Sequence, residues 1–443
     1  MEDPEFFYYA KFFLRIHGFS LETNGNNFAY RFWAILNSTL QEIMLFTLIY
    51  NTYNKHPDIA LMVSCSTVAF GVFVNSFKIM SIQRNIERLS DFYHRLIEFW
   101  TIPEKPERKI LLQHKNFTNI VSVVNCLSLI GGISWWLLLP PALSAYEEFT
   151  FGNTTWIPPY NITYIDFMQT TPGFEICTTA YYMITIMCVF GGCGFDSYFL
   201  ESCFYLSGHF RIIYRRFRSV KYATEAKDDR KFQSQISTIV NYHNEILNAC
   251  ADLQDIVRSA IFPFLLFDSV VICTCVYTLL AMPNLIVTIA FMGITIAAVA
   301  QIFVLTYSGQ VLINKSQDLT NSIYDSEWYI ASPGQRRLLI LCMMRARKGF
   351  TFKMGIFQLA LPTFSAILQG AGSYIALLSR RRDVQLVLLV DERHEQHQAQ
   401  DNEYEEGDNE EKYPLAASPL HRARPILLPY HSGMAREITS KGQ

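Results

Sequence analysis

Two glycosylation sequons, Asn153-Thr154-Thr155 and Asn161-Ile162-Thr163, lie eight residues apart between long apolar runs. Their chemistry, attachment of an N-glycan, takes place only on the lumenal or outer side of a membrane. Glu42 and Asp268 are the acidic residues nearest the centres of apolar runs. A charge there is expensive, so each is a functional hypothesis: pore electrostatics, a ligand contact or an interhelical partner. For Glu42 the neighbours Asn37, Ser38, Thr39 and Gln41 favour a polar seam inside a helix bundle, and Asp196 and Glu201 fall near the inner interface and need little explanation. The 10 cysteines lie almost wholly in apolar runs or basic loops, with no zinc spacing, and read as small buried hydrophobes rather than a disulfide framework or metal site. No Gly-rich phosphate loop, H-E-x-x-H, G-x-S-x-G or selectivity-filter sequence occurs, so no enzyme and no cofactor is expected.

The elements that must hold these residues are membrane spans. The chain has 443 residues, 50% hydrophobic and 17% charged, with 34 Phe and 24 Tyr, a balance too apolar and aromatic for an ordinary soluble domain. A bilayer core needs about 20 mostly apolar helical residues. Seven such runs occur, at 33–53, 59–81, 118–140, 176–200, 260–282, 288–313 and 355–378. The segment MEDPEFFYYAKFF lacks the features of a cleaved signal peptide, so the first span serves as its own targeting signal.

Lys and Arg set the direction. Arg84, Arg88, Arg95, Lys105, Arg108, Lys109 and Lys115 lie between spans 2 and 3, a longer basic run from Arg211 to Arg258 lies between spans 4 and 5, and Lys315 to Lys353 holds seven more between spans 6 and 7, whereas residues 141–175 hold no Lys or Arg. The basic loops are therefore predicted to be cytoplasmic and the sequon loop external, with Asn153 and Asn161 as acceptors. The expected fold is an all-α integral membrane protein of seven transmembrane helices, N-terminus cytoplasmic and C-terminus extracellular. Sequons at Asn116 and Asn37, on the inner side and inside span 1, are expected to stay unused. This orientation is opposite to that of G-protein-coupled receptors, and neither D-R-Y nor N-P-x-x-Y occurs at the matching places; a metabotropic receptor is the alternative reading, and a transporter a more distant one. Between spans 4 and 5, Ile236, Ile239, Val240, Ile246, Leu247, Leu253, Ile256 and Val257 recur at helical spacing, so span 5 is predicted to continue well below the membrane.

Gln301 to Tyr329, "QIFVLTYSGQVLINKSQDLTNSIYDSEWY", and Arg336 to Leu378 resemble the last third of insect odorant receptors. The matching positions are Tyr307, Gly309, Ser316, Tyr324, Trp328, Tyr329, Thr363, Phe364, Ser373 and Tyr374, with weaker echoes at Leu206 to Phe210 and His243; the resemblance covers roughly 11–378. Gustatory receptors usually end in Thr-Tyr-x5-Gln-Phe, which "SYIALLSR" lacks. The resemblance implies the tuning subunit of an odorant-gated, non-selective cation channel in the plasma membrane of an olfactory sensory neuron. It further implies a heterotetramer with the odorant co-receptor, volatile hydrophobic ligands and no nucleic-acid partner. The implied organisation is a cytoplasmic N-terminal segment (1–32), spans 1–6 with their helical extensions (33–313), an anchor segment (314–354) and a pore-lining helix (355–378).

In span 7, Thr363, Ile367, Gly370, Ser373 or Tyr374, and Leu377 recur down one face; this suits a pore wall and equally suits plain helix packing. The resemblance places Leu377 near a hydrophobic gate and assigns Thr363, Ile367, Ser373 and Leu377 to the pore. It also places the odorant cage in the outer half of spans 2, 3, 4 and 6, with candidates Val63, Thr67, Phe70, Gly131, Trp135, Thr179, Tyr182, Met183 and Ile186. Such a cage suits small volatiles held by dispersion and desolvation, although single Trp and Tyr residues are also ordinary interface residues. Tyr324, Trp328, Tyr329 and Tyr374 are the expected subunit-anchor residues, or pack within one subunit. Residues 379–443 depart from the family pattern, with Arg380, Arg381 and Arg382 beside the outer pore mouth and a disordered composition after them.

Overall fold

The protein is represented by a computed structural model that describes residues 6–22, 27–56, 58–152, 172–220, 229–282 and 285–377, together with 170, 222 and 380. The sequon loop and the segment beyond Arg380 lie outside the described residues. A short amphipathic helix α1 (Tyr8–His17) precedes six long ones: α2 (Phe28–Asn54), α3 (Ile59–Phe99), α4 (Lys105–Phe151), α5 (Gly173–Arg218), α6 (Asp229–Ala281) and α7 (Leu285–Tyr324). All six long helices carry a stretch long and apolar enough to cross a membrane. A 3-10 turn (Trp328–Ile330), α8 (Pro333–Arg347), a two-stranded antiparallel hairpin of β1 (Lys353–Met354) and β2 (Phe357–Gln358), and a final helix, α9, over 361–377 follow.

The first six predicted spans each fall within one of these helices to within a residue. The seventh, expected from 355, begins later. Gly355 takes a left-handed φ of 61° in the hairpin turn, Met354 pairs with Phe357, and α9 starts at 361, where Gln310 Oε1 on α7 accepts the Leu361 N–H at 3.3 Å. The apolar residues Ile356, Phe357 and Leu359 lengthened the run without being helical.

α6 has 53 residues. At 1.5 Å per residue it is about 80 Å long, more than twice the hydrocarbon thickness. The surplus lies at the basic end of the bundle, where the C-terminal halves of α3, α5 and α7 meet the N-terminal parts of α4 and α6. The predicted stripe of α6 is buried there, with Ile236, Ile246, Leu253 and Val257 packed among Leu96, Leu111, Ile213, Leu319 and Leu339. Most of the main core is built at this end, of residues that a soluble helical bundle would use.

Local chemistry starts and stops these helices. Asn27 and Asp58 cap α2 and α3, and Glu104 and Glu107 form a capping box at the head of α4 with Pro106 in its first turn. Glu107 also receives two hydrogen bonds from Arg216, at 2.9 and 2.7 Å, joining the start of α4 to the end of α5. α3 departs from helical geometry at Asn85, whose side chain donates to the Ser81 carbonyl at 3.0 Å. The polar residues of α2 face neighbours: Gln41 donates to Ser76 at 3.0 Å, Asn37 to the His17 carbonyl at 3.3 Å, and Gln83 to Ser38 at 2.6 Å. Asn37, Ser38 and Gln41 thus lie in the internal seam expected from their clustering, whereas Thr39 is exposed and donates back to the Ile35 carbonyl at 2.8 Å.

Two close approaches fix the helices around the centre. A Cβ on Gly132 would lie 2.6 Å from Ala297 Cβ, so α4 and α7 touch backbone to backbone. A Cβ on Gly309 would lie 2.3 Å from the Leu359 carbonyl oxygen, so α7 holds the chain leading into α9 by direct contact.

Candidate functional site

Six helices, α2 to α7, line a partly open cavity of about 160 Å³. Its walls are mainly apolar, with Met44 from α2, Val68 and Val72 from α3, Leu129 and Ile133 from α4, Val189 from α5, Val271 from α6 and Ile294 from α7. Several polar side chains on the walls are already satisfied: Thr67 donates to the Val63 carbonyl at 2.9 Å, Thr185 to the Tyr181 carbonyl at 2.8 Å, and Asn75 to the Cys188 carbonyl at 2.8 Å.

The floor, on the side toward the basic end, is different. Lys78 on α3 extends its Nζ to both carboxylate oxygens of Asp196 on α5, at 2.7 and 3.0 Å, and Gln301 on α7 donates to the same carboxylate. The ammonium also lies over the Phe264 ring, 4.3 Å from its centroid. Asp268 on α6 lines the same cavity. Asp196, which its position near an interface seemed to explain, is in fact fully buried and salt-bridged. The signal for this cluster was a lone Lys in "VFVNSFKIMSI" and a lone Asp in α5; what joins them is tertiary.

Of the nine cage candidates, Thr67 lines the cavity. The others lie elsewhere. Gly131, Trp135, Thr179 and Met183 face outward, Tyr182 and Ile186 are half-buried on the same side of α5, and Phe70 packs on Val271, Cys275 and Phe291. Val63 lies in a separate open groove of about 1010 Å³ between α3, α6 and α9. The residues of α4 and α5 that do line this cavity are Leu129, Gly132 and Ile133 on α4 and Thr185, Cys188, Val189 and Gly192 on α5. Gly132 stands one residue from Gly131, and Thr185 one from Ile186. One residue is a 100° rotation on a helix.

On α9, Ile367 and Ala371 are buried against the bundle and belong to its core. Ile367 is therefore turned away from the face carrying Ser373 and Leu377, which is exposed; Leu377 is 56% and Tyr374 54% exposed. The five-residue set read as one stripe is divided because the inward face of α9 is narrow, and Ile367 stands at its edge. Thr363 is partly covered and donates to the Gln358 carbonyl. Tyr324 and Tyr329 are exposed, while Trp328 is half-buried and packs on the core, its ring 6.4 Å from that of Tyr324. Among the described residues no group of three or more His, Cys, Asp or Glu could hold a metal ion, and the cysteines are free.

Residues 58–372 match the family model described as 7tm Odorant receptor. The chain belongs to the odorant receptor family. Odorant receptor 82a of Drosophila melanogaster is 22% identical over 344 residues, which cover 74% of this chain and 86% of that protein. Odorant receptor 22c of the same species is 26% identical over 192 residues, 41% of this chain and 48% of that one; the chain thus spans about half of that relative, and 60% of Odorant receptor 10a. Among solved structures, the olfactory receptor OR5 of Machilis hrabei in complex with eugenol superposes with a TM-score of 0.73 at 16% identity, over 84% of this chain and 97% of that one. The fold is the all-α, multi-pass membrane fold of seven spanning helices, with α9 as the seventh, and the family is one of receptors rather than enzymes.

Proposed function

We propose that the chain is the odorant-tuned, ligand-binding subunit of an odorant-gated, non-selective cation channel, assembled with the odorant co-receptor as a heterotetramer. The observation that carries this reading is the division between two places: a mainly apolar cavity among the helices of the subunit, and a last spanning helix whose Ser373–Leu377 face its own bundle leaves uncovered. The first suits a small volatile hydrophobic molecule. The second suits a wall shared among subunits around a pore, with Thr363 and Ser373 along it and Leu377 as a ring that closes it by dewetting. Tyr324 and Tyr329 beside the Trp328 turn, and Tyr374 on α9, are exposed aromatic residues that suit contact with a neighbouring subunit, and Trp328 packs its turn on the core.

In this reading the basic end is cytoplasmic, the sequon loop with Asn153 and Asn161 is external, and the protein resides in the plasma membrane of an olfactory sensory neuron. Family and fold lend no support to the metabotropic alternative. Voltage-clamp recording in cells expressing the full chain, with and without the co-receptor, during exposure to a broad volatile panel tests the proposal. A fast cation current that requires both subunits is the expected result; current that depends on G-protein signalling, or none with any volatile, would overturn it.

A further inference from the structure

We infer that the cavity prefers small molecules bearing a hydrogen-bond donor, a hydroxyl or an amine, and that Asp268 receives that donor. The inference rests on the cavity being the ligand site. Asp268 is 6% exposed and lines the cavity, and its Oδ2 is buried with no hydrogen-bond partner. Every other charged or amide group at the floor is engaged: Lys78 and Asp196 neutralise each other, and Gln301 donates to Asp196. Among the described residues Asp268 makes no salt bridge, although Lys78 and Asp196 lie within its electrostatic reach.

A buried carboxyl oxygen without a donor costs free energy until something supplies one. A carboxyl group keeps acceptor capacity in either protonation state, so the demand persists. A hydrocarbon guest would fill the walls and leave the Asp268 carboxyl without a donor; a guest with a donor at one end would fill the walls and supply one to the carboxyl where it borders the cavity. A single ring fits this space, since an engineered cavity of about 150 Å³ accepts benzene. The fitting ligand is a compact ring or short chain with one terminal donor.

Benzyl alcohol, benzylamine and ethylbenzene are nearly isosteric and differ at the terminal group alone. Their binding to the purified full chain in lipid nanodiscs, measured by ligand-induced shift of the thermal midpoint over a concentration series, tests the inference. Benzyl alcohol or benzylamine is expected to bind at least about tenfold more tightly than ethylbenzene. Asp268→Leu should bring all three within about twofold while keeping ethylbenzene binding, and Asp268→Asn, which retains an acceptor oxygen, should keep the alcohol preference. A stronger response to the amine would assign an ionised carboxylate, and to the alcohol a neutral one. Ethylbenzene binding as tightly as both, binding of none of the three, or a preference that survives in Asp268→Leu would overturn the assignment. The wild-type comparison decides even where a variant fails to fold. Current from the broad volatile panel, without donor preference in binding, sinks this inference and leaves the channel reading standing; absence of current and of all volatile binding removes both.

Discussion

Lys78 of α3 and Asp196 of α5 form an ion pair sealed at the centre of the bundle, with Nζ 2.7 Å from Oδ1 and the two side chains 2% and 0% exposed. Neither charge has water to fall back on. The pair locks the register of α3 against α5 at the floor of the cavity, and Gln301 extends the lock to α7.

Removing one partner should therefore be far worse than removing both. Lys78→Met is expected to cost about 3–5 kcal/mol by stranding Asp196, whereas Lys78→Met with Asp196→Leu, which leaves no charge behind, should recover most of that loss. Thermal unfolding of the three proteins in the same detergent measures this. Equal loss in the single and double variants would show that the pair contributes no mutual compensation.

The basic end should lose stability in acid. Burial, reinforced by Arg216 and His114, pushes His209 down to about 3; burial and Arg345 push His243 down to about 4; burial with Arg211 and Lys315 pushes His114 to about 4. Each resists protonation when folded and takes a proton near 6.5 when unfolded, so the unfolded state binds more protons below that value and stability falls as pH drops from about 6.5 toward 4. Glu107 acts in the same direction at lower pH. Burial pulls its carboxyl up, but hydrogen bonds from Arg216 and the Glu104 amide hold it below the ordinary 4.5, so its contribution is present above that value and is lost as pH falls through the folded value. Midpoints at about pH 7.5 and about pH 5 should differ less in His243→Phe than in the wild type. An unchanged difference would assign the acid sensitivity elsewhere.

Gly309 and Gly131 should respond oppositely to the same added methyl group. Gly309→Ala forces a Cβ against the Leu359 carbonyl and is expected to cost about 1–3 kcal/mol and displace the entry to α9, with loss of evoked current. Gly131 has open space beyond it, so Gly131→Ala should be neutral or stabilising by up to about 1 kcal/mol. Surface expression and thermal midpoint compare the two; normal current from Gly309→Ala would mean that α9 does not depend on that contact.

Orientation has a direct chemical readout. Glycosidase treatment of the expressed chain should lower its apparent mass, and the combined Asn153→Gln and Asn161→Gln variant should show no shift. A shift that persists through Asn116 instead would place the basic loop outside.

If Leu377 is the gate of the proposed channel, Leu377→Ala should raise the resting current several-fold without weakening odorant binding, because it would widen that constriction while leaving the cavity untouched. Unchanged resting current with intact expression would remove Leu377 from the gate.

What the sequence disclosed and what it withheld divide along one physical line. The stripe of α6 from Ile236 to Val257 was legible because that part of the helix borders water: its outward residues are polar, and the apolar period of 3.6 stands out. The spans themselves were legible as lengths of apolar chain. Their rotation was not, since a helix in lipid is apolar on the face it buries and on the face it shows, and Thr185 and Ile186 look alike to any periodicity argument. The same blindness put Ile367 on the exposed face of α9. The hairpin at Lys353 to Gln358 escaped because its apolar residues blend into the run that follows. Lys78 and Asp196 were visible as oddities, but pairing residues 118 positions apart takes the fold.

The tight core at the basic end has a consequence for how such a chain can change over generations. Much of the core lies around Leu96, Ile213, Ile246 and Leu319, away from the cavity, so the apolar positions of the cavity wall are not the only packing that keeps the chain folded. Substitutions such as Val68, Ile133 or Val271 to other apolar residues can reshape the guest space and still leave a protein that assembles. The space inside the bundle and much of the packing that holds the bundle together thus lie at different levels of the same helices.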